Sequence, residues 1–232
     1  MMRARHWLRQ LWESYRGALI RPSPLKFEAE AGRASWAAVW FGLLVVGAAS
    51  AVEYGVLAWE YEGIFRDLED MFRALKLDPA PVSVFWELSF WGGPLRGFIS
   101  TFVTFFLGAL FLMAMARIFG GRGRAAGFKE NFLVHCYLLS LVYVPLRTAM
   151  ALLGIIPFVG ATVGVLAYYY QVYCSGVTLQ VSYGLSRSRA QWAVWLPQAV
   201  GYIVATGVIL LIVTYFMFAS FADMFRRMVL YP

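Results

Sequence analysis

The stretch that decides the fold is residues 97–119, GFISTFVTFFLGALFLMAMARIF, in which Arg117 is the one charged residue. A helix of roughly 20 apolar residues is long enough to cross the ~30 Å hydrocarbon core of a bilayer. Four more stretches of similar length and apolarity lie near 34–59, 131–153, 155–180 and 192–221. The sequence therefore predicts an all-α polytopic membrane protein with five transmembrane helices, accompanied by short interfacial amphipathic helices.

The composition agrees with a single membrane domain. Hydrophobic residues make up 61% of the chain and charged residues only 14%, far from the average soluble domain. Residues 1–33 are mostly polar and precede the first apolar stretch, so this stretch is interpreted as a retained span and not as a signal peptide. We expect a cytoplasmic amphipathic segment at 1–33 and a membrane domain at 34–232 with an acidic outer loop at 60–96.

The distribution of basic residues predicts the orientation. One side of the membrane would carry Arg3, Arg5, Arg9, Arg16, Arg21, Lys26, Arg33, Arg117, Arg122, Arg124, Lys129, Arg187 and Arg189. The other side would carry Arg66, Arg73, Lys76, Arg96, Arg226 and Arg227. Thirteen basic residues against six place the N-terminus in the cytoplasm, and an odd number of spans then places the C-terminus outside.

Two polar intervals have helical amphipathic patterns. Trp7, Leu11 and Tyr15 recur on one face of the N-terminal segment, with arginines around the other face. This pattern is typical of a basic helix lying in the membrane plane, and equally of a helix docked on its own membrane domain. A second amphipathic helix is predicted near 64–75, on the outer face, ending at the proline-rich residues 78–81.

Ionisable residues inside predicted spans are few, and they are the default functional candidates. Glu53 in the first span and Arg147 in the third lie at similar predicted depths near the outer end. We predict that they form an intramembrane ion pair. The alternative is that each side chain reaches the outer interface independently.

Several other residues within the spans suggest helix contacts or a small cavity. His135 near the start of the third span, and Tyr170 and Gln171 in the fourth, would hydrogen-bond between helices or line a cavity. Gly160 and Gly164 form a small-xxx-small face that allows a close helix approach, either within the chain or between two copies. Cys136 and Cys174 fall inside spans and are interpreted as small apolar fillers.

The net charge of +7 does not indicate nucleic acid, because the basic residues are dispersed over loops and form no recognition motif. We instead predict a contact surface for anionic lipid or an acidic protein partner. Its residues are Arg122, Arg124, Lys129, Arg187 and Arg189. No catalytic motif, metal-ligand spacing or cofactor-binding loop is found, so we expect no catalytic residues, no metal and no cofactor.

The order of features from Gly127 onward resembles a known family. Gly127-Phe128 precedes the third span, Pro145 lies late in it, and 156–160 (IPFVG) makes the following turn. The sequence 183–186 (YGLS), then Arg189-Ala190 and Pro197, lead into the fifth span. This pattern is similar to the Yip domain family, the Ypt/Rab-interacting membrane proteins, in its bacterial form.

The resemblance implies a five-span membrane protein with a cytoplasmic N-terminus, whose eukaryotic relatives bind Rab GTPases and organise membranes. Those relatives carry an acidic Asp-Leu-x-Gly-Pro-like element in their cytoplasmic part. Here the nearest sequence, 91–94 (WGGP), falls on the predicted outer side instead. The resemblance therefore indicates the family without indicating a Rab-binding site.

These observations lead to two expected functions. The first is a noncatalytic scaffold or adaptor in a bacterial cytoplasmic membrane, which binds membrane lipids and an unidentified membrane or cytoplasmic protein. The second is a small transporter or channel, possible as a homo-oligomer, with a cavity near Gln171, Tyr170 and His135. A dry, closed bundle favours the first function, and a water-accessible cavity favours the second.

Overall fold

The fold is seen in a computed structural model, which describes residues 2–75, 78–124, 127–156 and 158–230. Side chains are described there except at 2–4, 81, 85–91, 205, 216–217 and 219–230, so the predictions for Arg3, Lys76, Arg226 and Arg227 lie outside the description. The elements are α1 (Met2–Ile20), α2 (Pro24–Ala31), α3 (Trp36–Ala74), α4 (Ala80–Ile118), α5 (Phe128–Leu153), α6 (Val159–Tyr183) and α7 (Arg187–Leu230). Within these ranges the regular elements are all helices, as the sequence predicted.

Four helices of the described chain are long and apolar enough to cross a membrane. They are Trp36–Ala74, Gly92–Ile118, Phe128–Leu153 and Arg187–Tyr215. Helix α6 corresponds to the predicted fourth span but is not among them, because polar residues such as Gln171, Ser175 and Thr178 lower its hydropathy. The protein is thus a multi-pass membrane protein with four candidate spans.

The interval 60–96 differs from the predicted outer loop with its own short helix. It is instead formed by the end of α3 and the start of α4, each of which is 39 residues long. No proline interrupts 59–74, and ion pairs one helical turn apart, such as Glu62–Arg66 and Glu69–Arg73, support the continued helix. The amphipathic pattern near 64–75 therefore belongs to the extension of a spanning helix.

The sequence prediction missed α2. Ser23 caps it by accepting a hydrogen bond from the backbone N–H of Lys26 at 3.3 Å, and Pro24 occupies the first turn. Proline is well suited to that position because its missing N–H would be unpaired there anyway. The 21–24 sequence (RPSP) thus separates the end of α1 from the start of α2.

Helices α3 to α7 form an antiparallel bundle with small residues at its closest crossings. At Gly97 of α4, an added Cβ would lie 2.5 Å from the Tyr54 ring and 3.0 Å from the Ser50 carbonyl of α3. We define the basic end as the end formed by α1, α2, the α4–α5 connection and the α6–α7 turn. The opposite end holds the α3–α4 connection and the α5–α6 turn.

Helix α7 contacts the bundle mainly through its first turns. Ala190, Ala193 and Val194 are buried, whereas most described side chains from 200 to 215 are exposed. Apolar exposure of this kind is expected for a lipid-facing helix, since lipid tails solvate leucine and isoleucine as well as a protein core does.

Candidate functional site

The structure brings the predicted basic residues to one end of the bundle. The backbone N–H of Arg122 donates to the Tyr183 carbonyl at 2.9 Å, and that of Arg124 donates to the Ser182 carbonyl at 3.2 Å. These bonds lay the α4–α5 connection across the end of α6, where α7 begins with Arg187. All five predicted residues (Arg122, Arg124, Lys129, Arg187 and Arg189) are exposed, and we call them the basic surface.

Most cations of the basic surface have no acidic partner among the described side chains. Arg124 lies 3.5 Å from Glu28 of α2, in an ion pair whose two side chains are about half exposed. Such exposed pairs typically contribute at most about 1 kcal/mol. Among the described side chains, the other four cations of this surface have no carboxylate within 4.0 Å. The surface therefore retains a positive charge that an anionic partner would neutralise.

A buried carboxylate fixes the two N-terminal helices to this end. Glu30 of α2 is 4% exposed, and its Oε2 accepts hydrogen bonds from the Ser14 hydroxyl at 2.7 Å and the Tyr137 hydroxyl at 3.4 Å. Its Oε1 lies 3.4 Å from the Arg33 guanidinium. One carboxylate thus joins α1, α2 and α5. Sequence reasoning missed Glu30 because nothing in its local pattern distinguishes it from Glu28.

The docked face of α1 consists of Leu11, Ser14, Tyr15 and Ala18, which are all buried. Tyr15 fits against α3 where Gly42 leaves room, since a Cβ added at Gly42 would lie 2.6 Å from the Tyr15 hydroxyl. Burial, with a smaller contribution from Tyr137, raises the pKa of Tyr15, which stays protonated at neutral pH. Of the two interpretations of the N-terminal helix, the structure shows docking on the protein's own membrane domain.

The C-terminal end of α1 has a second attachment. The Tyr170 hydroxyl of α6 donates to the Leu19 carbonyl, one of the carbonyls that a helix end leaves without an intrahelical partner. Tyr170 is therefore an interhelix contact between α6 and α1.

His135 is also an interhelix contact. It is fully buried, and its Nε2 lies 3.1 Å from the Ala109 carbonyl of α4. A carbonyl only accepts hydrogen bonds, so Nε2 carries the proton and Nδ1 is unprotonated. The imidazole also packs edge-on against the Tyr183 ring, with 5.3 Å between ring centroids. His135 thereby links α4, α5 and α6 below the basic surface.

A cavity of about 160 Å³ lies between α4, α5 and α6. Its polar lining consists of Thr104, Tyr143, Arg147, Gln171, Ser175 and Thr178. The Thr178 hydroxyl and the Arg147 Nε are buried there without a hydrogen-bond partner in the protein. Buried polar groups of this kind are usually satisfied by ordered water, and the cavity has room for a few molecules. Of the three predicted cavity residues, Gln171 lines this space and His135 and Tyr170 do not.

Glu53 and Arg147 lie in neighbouring helices without a direct ion pair within 4.0 Å. The Glu53 carboxylate packs near Gly154, where an added Cβ would lie 2.7 Å from its Oε1. The Arg147 guanidinium carbon lies 5.8 Å from the centroid of the Tyr143 ring, within the range of a cation–π contact. The predicted pair therefore stays a hypothesis about a longer-range interaction.

The small residues Gly160 and Gly164 lie in the α5–α6 hairpin. A Cβ added at Gly160 would lie 2.7 Å from the Gly154 Cα, whereas one at Gly164 would find Met150 Cε at 3.8 Å. The close approach is made within the chain, between the end of α5 and the start of α6.

Comparison with known proteins gives one match. A family model, the Yip1 domain, matches residues 16–209, from the last turn of α1 to the middle of α7. Searches of curated proteins and of solved structures each gave no significant match. The matched region covers most of the chain, including Glu30, the basic surface and the cavity. The chain therefore belongs to the Yip1 domain family of multi-pass membrane proteins.

Proposed function

We propose that this protein is a noncatalytic membrane scaffold or adaptor that acts through its basic end. The observation that carries the proposal is that α1 and α2 are locked onto the bundle beside a largely unpaired basic surface. The Glu30 and Tyr170 hydrogen bonds hold α1 and α2 in place. The backbone bonds from Arg122 to Tyr183 and from Arg124 to Ser182 hold the connection that carries part of the basic surface. A preorganised surface loses little conformational entropy when it binds a partner, which is the property that a scaffold needs.

The proposal places the basic end in the cytoplasm of a bacterium, with five helices crossing its cytoplasmic membrane. Helix α6 is counted as a span because it runs the length of α5, from the α5–α6 turn back to the basic end. Its polar residues Ser175, Thr178 and Ser182 are buried against neighbouring helices and so are shielded from lipid. The excess of basic residues at the basic end supports a cytoplasmic orientation, with the C-terminus outside.

The experiment is crosslinking and pull-down from native membranes, comparing the wild type with a variant carrying Arg122→Gln and Arg189→Gln. A matched control changes two arginines at the opposite end, Arg66→Gln and Arg73→Gln, and alters the net charge equally. We expect a reproducible protein partner that is lost only in the basic-surface variant. Equal recovery of every partner from all three samples would contradict the adaptor role.

A second function, a small transporter or channel, is favoured by the polar cavity. Cys174 lines this cavity, and a Cys136→Ala variant leaves it as the one thiol of the chain. If substrate passes through the cavity, Cys174 will react with a membrane-impermeant thiol reagent in intact vesicles. The scaffold proposal expects no reaction until a denaturing detergent such as dodecyl sulfate unfolds the protein, and a Cys136→Ala, Cys174→Ala variant measures the background.

A further inference from the structure

A groove of about 440 Å³ lies at the corner between α1 and α2. Its wall includes three cations, Arg16, Arg21 and Lys26, together with Gly17 and Ser23. The groove is separate from the basic surface described above and involves none of its five residues. We call it the elbow groove.

Local sequence explains why the cations converge. Ser23 caps α2 and sets the chain direction there, so that Lys26 in the first turn of α2 points back across α1. Its side chain passes over Gly17, where an added Cβ would lie 2.5 Å from Lys26 Cε and 2.7 Å from Nζ. A side chain at position 17 would therefore require the end of Lys26 to shift, and a large one would fill part of the groove.

The charges in the elbow groove are not neutralised by the protein. Among the described side chains, Arg16, Arg21 and Lys26 have no carboxylate within 4.0 Å. The acidic residue in the wall, Glu13, is already paired with Arg9 at 3.1 Å. The N-terminus of α2 also faces this corner and adds a partial positive charge. Cations brought together without counterions favour an anion between them.

The position of α1 indicates where that anion comes from. The Trp7 ring packs against Phe41 with 5.5 Å between centroids, less than two turns into the candidate span α3. Helix α1 therefore lies at the level where α3 enters the bilayer. Beside the cations, Trp12, Ile20 and Leu25 leave most of their side-chain surface exposed, at 64%, 62% and 80%. Exposed apolar side chains next to cations at this level match a phospholipid, whose acyl chains and phosphate lie side by side.

We propose that the elbow groove binds the phosphate headgroup of an anionic phospholipid, with its acyl chains along Trp12 and Ile20. The proposal rests on the proposed function in placing the basic end at the cytoplasmic leaflet, and it supplies a specific lipid contact there. Arg16, Arg21 and Lys26 hold the phosphate, and Gly17 keeps the space open. A bound lipid would also brace α1 and α2 from the side opposite to Glu30.

The test is native mass spectrometry of the purified full chain in detergent, titrated with phosphatidylglycerol, phosphatidylcholine or inorganic phosphate. We expect saturable binding of phosphatidylglycerol and much weaker binding of the other two. Replacing Arg16, Arg21 and Lys26 by Gln will weaken phosphatidylglycerol binding by roughly ten- to hundredfold, since each cation contributes to attraction of anionic lipid. The control replaces Arg66, Arg73 and Arg96 by Gln and should bind as the wild type does.

A charge-neutral variant makes the test independent of net charge. Gly17→Leu keeps every cation but places a side chain in the groove and shifts the end of Lys26, so it should weaken phosphatidylglycerol binding while leaving the helicity of the chain normal. The proposal would be overturned if the Arg66, Arg73 and Arg96 control weakened phosphatidylglycerol binding as much as the groove variants do. It would also be overturned if both groove variants bound this lipid as the wild type does. If inorganic phosphate at equal concentration displaces phosphatidylglycerol, the anion that the groove binds is free phosphate and not a lipid headgroup. The variant with Arg122→Gln and Arg189→Gln should still bind phosphatidylglycerol. Loss of a protein partner therefore tests the proposed function, and loss of phosphatidylglycerol binding tests the elbow groove.

Discussion

The hydroxyl of Ser14 in α1 donates a hydrogen bond of 2.7 Å to the carboxylate of Glu30 in α2, and both side chains are buried. A carboxylate removed from water is costly unless hydrogen bonds and a cation replace its hydration. Ser14, Tyr137 and Arg33 supply them here. The buried carboxylate thus helps to hold the N-terminal helices, which form part of the basic end.

Glu30→Ala should destabilise the attachment of the N-terminal helices. Ser14 and Tyr137 would lose a charged acceptor, and we expect a loss of about 2–3 kcal/mol in the free energy of unfolding. Thermal unfolding in detergent measures this loss, and trypsin should cut faster after Arg16, which is exposed and followed by Gly17. Glu28→Ala is the matched control, since Glu28 is exposed and its ion pair contributes at most about 1 kcal/mol. Similar losses from both variants would contradict the role assigned to Glu30.

Gly42→Ala should weaken the contact between α1 and α3. The added methyl would meet the Tyr15 hydroxyl at 2.6 Å and a Val144 methyl at 2.7 Å, and overpacking of this kind costs about 1–3 kcal/mol. Tyr15→Phe removes the oxygen on one side of the clash, and that hydroxyl has no hydrogen-bond partner in the protein. The double variant should therefore be more stable than Gly42→Ala alone. Additive losses in the two variants would show that Tyr15 does not occupy the space at Gly42.

The two glycines of the α5–α6 hairpin should respond differently to alanine. At Gly160 the new methyl would meet backbone, the Gly154 Cα at 2.7 Å, so the helices must separate at a cost of about 1–3 kcal/mol. At Gly164 the new methyl would meet the flexible end of Met150 at 3.8 Å, and alanine gains up to about 1 kcal/mol of helix propensity. Thermal unfolding compares the two variants. A change of oligomeric state in Gly160→Ala, seen by size-exclusion chromatography with light scattering, would instead indicate a contact between copies.

Glu53→Gln and Arg147→Gln test the remaining intramembrane hypothesis. The two groups make no direct ion pair within 4.0 Å, so a charge interaction over a longer distance would give a coupling of only about 0.5–1 kcal/mol in a double-mutant cycle. Glu53→Gln combined with Arg96→Gln, an exposed arginine, is the control cycle and should be additive. Additivity in both cycles would mean that Glu53 and Arg147 reach the interface independently.

The sequence by itself determined the features that depend on local composition. Apolar stretches such as 97–119 predicted spanning helices, because transfer of a helix into lipid is close to a sum over its own residues. Arg122 and Arg189 were likewise predicted on one surface from their loops alone. The same local reasoning separated 64–75 from α3, since it did not include the continuity of a helix without a break. The further span predicted at α6 is not among the four candidate spans and stays a prediction.

Only the tertiary structure decided which residues the bundle brings together. Tyr137 meets Glu30 across 107 positions of the chain, and Tyr170 meets Leu19 across 151. The cavity beside Gln171 is a space between α4, α5 and α6 that no single segment encodes, whereas the elbow groove beside Gly17 is formed within residues 13–26 by the turn of α2 against α1. Local patterns specify which surfaces are apolar or charged, whereas the burial of Glu30 and the convergence of Arg16, Arg21 and Lys26 depend on packing between helices distant in sequence or turned back on one another.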